Sequence, residues 1–143
     1  MDLKIKRLFD WVELPTYACE GDAGLDLRSA ESLVLKPFER RAISTGLAIA
    51  IPDGYAGFVQ PRSGLSLKQG LSMVNTPGLI DSKYRGELKV AAINLDPNNS
   101  ISINKGDRIA QLVIQKVECA NIVEVLELDE TERGTGGFGH TGV

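Results

Sequence analysis

Short runs of alternating or β-branched residues recur along this chain, and no apolar stripe of helical period lasts long enough to predict a long helix. Leu3-Lys4-Ile5-Lys6 and Ser100-Ile101-Ser102-Ile103 alternate apolar with polar, the period of a strand with one face buried. Gly57-Phe58-Val59-Gln60 and Leu88 to Ile93 read as further strands. Ile109-Ala110-Gln111-Leu112-Val113-Ile114 is apolar but for one amide, which predicts a strand covered on both faces. Ile122-Val123-Glu124-Val125-Leu126 predicts a last strand.

Turn residues separate these runs. Asp53-Gly54 supplies a positive-φ turn. Pro77-Gly78 and Asp96-Pro97-Asn98-Asn99 punctuate the middle, and Asn104-Lys105-Gly106-Asp107 turns the chain before the apolar strand. One short helix is expected from Ser63 to Gln69, ended by Gly70. Many short strands at this spacing predict an all-β barrel or sandwich. No internal repeat or linker interrupts it. The chain ends differently: Arg133 to Gly142 carries five of the 15 glycines. Such a segment supplies little core and is expected to be flexible when empty. The expected organisation is a β domain over 1–132 and a glycine-rich tail over 133–143.

Composition narrows the function. The 143 residues hold 16 Lys and Arg against 19 Asp and Glu, a net charge of -3, with a pI near 5.2. A nucleic-acid polymer is therefore not an expected partner, while a small phosphorylated ligand needs only a few local cations. Cys19 and Cys119 are too few for a disulfide scaffold and are expected to be reduced thiols in a cytoplasmic protein. No apolar run approaches the roughly 20 residues of a membrane span. Met1 to Lys6 is charged, without the apolar core of a signal peptide.

Five segments carry candidate chemistry. The tail combines glycines, which let backbone N–H groups approach phosphate, with Arg133, His140 and Thr141 as donors and Phe138 as a flat face for a base. Its plain alternative is a disordered end. Pro61-Arg62-Ser63-Gly64 opens the expected helix and could cradle an anion; the commoner reading is a capping serine beside a solvated arginine. Asn75 to Gly86 reads as a hairpin with a pocket. Its Asp81 is ionised at neutral pH and could orient and deprotonate a water, or be only a turn residue. Gln111 lies within the apolar strand of Gly106 to Leu112, where a buried amide needs partners, either backbone or ligand. Gly21 to Leu27 places Asp22 and Asp26 in a glycine-flanked turn, either a solvated loop or an acid near a hydrated metal ion. Phe9 and Trp11 are read as packing residues.

Taken in order, Ala23-Gly24-Leu25-Asp26-Leu27, Pro61-Arg62-Ser63-Gly64, Gly78-Leu79-Ile80-Asp81 with Tyr84 and Gly86, Gly106 to Leu112, and the terminal Arg-Gly and Gly-Phe-Gly tail resemble the five motifs of the trimeric dUTP diphosphatases (dUTPases). The match runs from about residue 19 to the end. It implies a jelly-roll-like β-barrel, a homotrimer with sites between subunits, and Mg2+-assisted hydrolysis of dUTP to dUMP and pyrophosphate. That reaction limits uracil incorporation into DNA and supplies dUMP for thymidylate synthesis.

By motif position, Asp81 corresponds to the water-activating carboxylate. Arg62, Ser63 and Gly64 correspond to the phosphate grip, with Gln111 on a phosphate or its water. Asp26 corresponds to an acid that holds a metal-bound water rather than the metal. Asn75, Gly78, Leu79, Ile80 and Lys89 would read uracil, and Tyr84 would pack on the sugar and exclude a ribose hydroxyl. Phe138 would stack on the base, while Arg133, Gly139, His140 and Thr141 cover the phosphates. The family tail usually reads Gly-Phe-Gly-Ser-Thr-Gly; His140 stands where that serine is expected, and an imidazole changes charge near neutral pH. Two rivals differ in class. The dCTP deaminases share the fold and the Ile-Asp segment but are generally longer and use a glutamate after it, and Glu87 is not at the matching place. A non-catalytic nucleotide-binding regulator would be expected to lack Asp81 or the tail.

Overall fold

The computed structural model describes residues 1–142. Among them the elements run β1 (Lys4–Arg7), β2 (Gly24–Arg28), β3 (Leu33–Leu35), β4 (Arg40–Ala50), β5 (Tyr55–Gln60), α1 (Ser63–Gln69), β6 (Leu71–Met73), β7 (Gly78–Ile80), β8 (Glu87–Asn94), β9 (Ile101–Ile103) and β10 (Arg108–Lys116). All pairings are antiparallel: one sheet is ordered β1-β4-β8-β6, a second β2-β10-β5-β7, and β3 pairs with β9 alone. The all-β class expected from the strand pattern, and the jelly-roll-like form implied by the resemblance, are the observed ones.

Alternation decides what faces inward. In β8, Leu88, Val90, Ala92 and Asn94 are buried while the residues between them are not. Leu27, Leu35, Ile43, Val59 and Leu112 join Leu88 and Val90 in a core contributed by all three sheets. Each such side chain is worth about 1.5–3 kcal/mol relative to exposure. In β10, expected to be covered on both faces, Ile109, Ala110 and Leu112 are buried, but Gln111, Val113 and Ile114 are only half-buried and the strand's end is exposed. The buried Asn94 donates from Nδ2 to the carbonyls of Leu35 (3.0 Å) and Asn99 (2.8 Å) and accepts from the Asp96 N–H. It thereby closes the Asp96-Pro97-Asn98-Asn99 turn without an unmet group. The N–H groups of Asn98, then Asn99, hold the Asp96 carboxyl below its ordinary pKa.

Helix α1 has the expected bounds and ends at Gly70, whose φ of 76° and N–H bond to the Ser66 carbonyl form a left-handed cap. The asparagine turn before β10 also forms, with Gly106 at φ 93°.

Four expectations are corrected. Ile122 to Leu126 is not a strand; it runs irregularly with Ile122, Val123, Val125 and Leu126 exposed, and no strand among the described residues pairs with it. Asn75 to Lys89 is not a two-stranded hairpin: β7 pairs with β5 in one sheet and β8 with β4 and β6 in the other, so the segment is a corner between sheets. Asp26 lies within strand β2 rather than in a turn, which ends before Gly24. Ser63 is the first helical residue instead of the cap; Arg62 occupies the cap position and makes no capping side-chain bond. Phe9 and Trp11 stack with centroids 5.5 Å apart, Lys105 Nζ lies 3.3 Å from the Trp11 ring centroid, and both rings stay about half exposed.

Strand β4 is 11 residues long, although its charged start and its glycine obscure it in the sequence. Its pairing with β8 shifts between Ser44 and Ala48, and Gly46 sits in this bulge at φ 68°.

Candidate functional site

The residues singled out above fall into three groups. The first surrounds β2, the start of α1 and β10. Strand pairing sets Asp26 opposite Gln111, and Gln111 opposite Gln60. The chain leaving β5 then carries Arg62 and Ser63 past the same edge. Ala18, Asp22, Gly24, Gln60, Arg62, Ser63, Gly64 and Gln111 line a cavity of about 420 Å³ with Asp26. The Asp26 carboxylate is mostly buried and engages two guanidinium groups, Arg62 Nε at 3.2 Å and Arg108 Nη1 at 3.3 Å. Asp22 and Asp26 balance the charge of the two arginines, so what the place offers an anion is directed guanidinium donors rather than a net positive charge. The Gln111 amide donates to the Pro61 carbonyl at 3.0 Å, so its nitrogen is satisfied by backbone while its oxygen lies against Gly24.

The second group lies at the corner between the sheets. Leu79, Ile80, Asp81, Tyr84, Glu87 and Lys89 line a separate cavity of about 490 Å³. β7 delivers Asp81 to its mouth, where the residue is exposed. Tyr84 donates its hydroxyl to the Glu87 carbonyl at 2.9 Å, and its ring lies so close over Gly86 that no Cβ fits there. Arg85 donates to the carbonyls of Ser82 (2.6 Å) and Tyr84 (2.8 Å), holding the turn shut. The Asn75 amide folds over the buried Gly78.

The third group is the tail. Arg133 donates to the Gly136 carbonyl at 2.8 Å, and N–H bonds from Gly136, His140 and Gly142 make successive turns. Phe138 is fully exposed, and Arg133, Gly139, His140 and Thr141 are exposed too. None of them lines either cavity. The structure therefore gathers Asp26, Arg62, Ser63, Gly64 and Gln111 into one place. It gathers Leu79, Ile80, Asp81, Tyr84 and Lys89 into another and leaves the tail apart from both.

Two residues of the site carried no assigned role in the sequence. Arg108 was visible in its motif, but only the β2–β10 pairing brings it to Asp26. Glu87 follows Gly86 at the start of β8, and nothing in the sequence indicates its partners in β4. Among the described residues no three His, Cys, Asp or Glu side chains are grouped to hold a metal ion. Asp22 and Asp26 in the lining of the first cavity are oxygen donors of the kind a hydrated divalent cation takes.

Comparison with known proteins agrees in family and fold. The dUTPase family model matches residues 10–142. The deoxyuridine 5'-triphosphate nucleotidohydrolase of Thermobifida fusca is 56% identical over 140 residues, 98% of this chain and 78% of that protein. The Corynebacterium diphtheriae protein of the same name is 55% identical over 139 residues, covering 97% of this chain and 91% of its own. Among solved structures, a mutant dUTPase of Staphylococcus bacteriophage 80alpha with dUpNHpp superposes with a TM-score of 0.92 at 34% identity, covering 99% of both chains. A mutant dUTPase from phage phi11 of S. aureus, described with a structural Mg(II) ion, gives 0.83 at 30% identity, covering 91% of this chain and 100% of that one. Motifs, cavities and relatives converge on one assignment: the chain belongs to the dUTPase family, the dUTP diphosphatases.

Proposed function

We propose that the protein hydrolyses dUTP to dUMP and pyrophosphate. The observation that carries this reading is Asp81 at the mouth of a cavity walled by Leu79, Ile80 and Tyr84, in a chain of this family. The Asp81 carboxylate takes a proton from a water whose oxygen attacks the α-phosphorus. The bond from that phosphorus to the oxygen bridging the α- and β-phosphates breaks, and pyrophosphate leaves with the electron pair. Asn75, Gly78, Leu79, Ile80 and Lys89 frame the uracil. Cytosine presents a donor where uracil presents an acceptor and leaves groups unpaired, and thymine adds a methyl group to a tight slot. Tyr84, pinned over Gly86, occupies the place of a ribose hydroxyl.

Arg62, Ser63, Gly64 and Gln111 hold the phosphate chain, and Asp26 keeps Arg62 and Arg108 aligned for it. Mg2+, when bound to the phosphates, neutralises part of their charge. Asp26 would have lone pairs left for a water on that ion beyond its two arginine contacts. The segment from 133 to 143 is the covering tail: Phe138 stacks on the base, and Arg133, Gly139, His140 and Thr141 meet the phosphates.

The phosphate cavity and the Asp81 cavity are separate on one chain, and the exposed apolar residues from Ile122 to Leu128 lack partners within it. Both features support a homotrimer whose sites take parts from different subunits. The exposed free thiols of Cys19 and Cys119 suit the cytoplasm, where the reaction guards DNA against uracil and feeds thymidylate synthesis. No helix among the described residues is long and apolar enough to cross a membrane.

Pyrophosphate release measured with dUTP, dTTP, dCTP and UTP, with and without Mg2+, tests the assignment. Activity confined to dUTP is expected, with no ammonia from dCTP. Asp81→Asn should lower turnover by about 10²–10⁴-fold, the range of a general base, while dUTP binding survives. Full turnover in that variant overturns the role.

A further inference from the structure

Glu87 lies where three structural features meet. Its Oε1 accepts from the Ser44 hydroxyl and from the Gly46 N–H at 3.0 Å, both in the β4 bulge. Its Oε2 lies 3.8 Å from Lys89 Nζ. Its own carbonyl accepts the Tyr84 hydroxyl. The side chain is about four-fifths buried, at 20% exposure, while Lys89 is 55% exposed. The carboxylate therefore works chiefly on the bulge, where it satisfies a glycine N–H that the shifted register leaves without a strand partner. The Thr45 hydroxyl donates to the Leu88 carbonyl at 2.6 Å and reinforces the same seam.

We infer that Glu87 is the positioning residue that fixes Tyr84 over Gly86 and so sets discrimination between deoxyribose and ribose at this cavity. This rests on the reading of Tyr84 as the sugar-excluding side chain. The Tyr84 hydroxyl has one bond, to a backbone carbonyl whose place depends on the anchorage of residue 87. The ring touches the cavity, but the force that holds it is exerted from β4, behind the wall. Without the carboxylate, the start of β8 keeps its pairing with Ala48 and the Thr45 bond but loses both contacts to Ser44 and Gly46, so the Tyr84 bond loosens and space opens for a 2′-hydroxyl.

The test compares Glu87→Ala, Glu87→Gln and Ser44→Ala with the unaltered enzyme, measuring kcat/KM for dUTP and for UTP. In Glu87→Ala the dUTP-to-UTP ratio should fall about tenfold, the size of one lost positioning contact. Glu87→Gln, which keeps an acceptor oxygen, should restore most of the ratio. Ser44→Ala, which removes one of the two bulge donors, should lower it in the same direction by less. Parallel losses for both nucleotides, with the ratio unchanged, are what a purely structural role produces and overturn the inference. If Glu87→Ala does not fold, an unaltered ratio in Ser44→Ala overturns it instead. Unaltered enzyme that is inert toward dUTP overturns the underlying reading of the site; active enzyme with insensitive variants overturns only the role of Glu87.

Discussion

A Cβ added to Gly24 would stand 2.5 Å from Gln111 Oε1 and 3.1 Å from its Cβ, so the amide must swing away and abandon the Pro61 carbonyl. Gly24→Ala should therefore destabilise the fold by about 0.5–1.5 kcal/mol, the net worth of one hydrogen bond between half-buried groups, and raise KM for dUTP. Urea unfolding and steady-state kinetics read the two effects. At this scale the sequence is a good guide to residue type and a poor one to residue job. Gln111 was visible as an amide in an apolar run, but whether backbone or ligand satisfied it depended on where Pro61 came to lie. Asp26 looked like a turn acid because glycines precede it. Its burial and its pairing with Arg62 and Arg108 follow from being in a strand beside β10.

Local elements divide by how much of their stabilisation is local. Helix α1 was legible to the residue because its stop is a glycine whose left-handed conformation no neighbour has to impose. Strands β8 and β10 were legible because strict alternation or continuous apolarity identifies buried strands. Strand β4 was not, since its bulge breaks the alternation at Gly46. The segment from Ile122 to Leu126 shows the opposite error. Its pattern is that of a strand, but a strand needs a partner and the single chain offers it none. Its apolar side chains, with Leu126 fully exposed, fit a surface on a second copy. Replacing both Ile122 and Leu126 with Asp should convert the proposed homotrimer to monomers in sedimentation velocity and remove dUTP hydrolysis; an undisturbed assembly would show that this segment does not hold it.

For the whole molecule, the decisive feature is the separation of Asp81 from Arg62 into different cavities. Chains carrying Asp81→Asn and chains carrying Arg62→Ala should each be nearly inactive when prepared alone. Mixed by co-refolding at equal amounts, they should recover about a quarter of the unaltered activity. Random assembly gives half the sites an intact Asp81 and half of those an intact Arg62 from another subunit. No recovery would place both residues of each site on one chain. The motifs themselves, their order, the helix and its stop, and the all-β character were carried by residue type and spacing, because backbone preference and alternation act over a few neighbours. Which strands pair, that Asn75 to Lys89 turns a corner rather than doubling back, and that Glu87 reaches the bulge of β4 were settled only in three dimensions. Those contacts join residues far apart in the chain, 43 positions for Ser44 and Glu87 and 82 for Asp26 and Arg108, and short-range preference has no means of selecting among such partners.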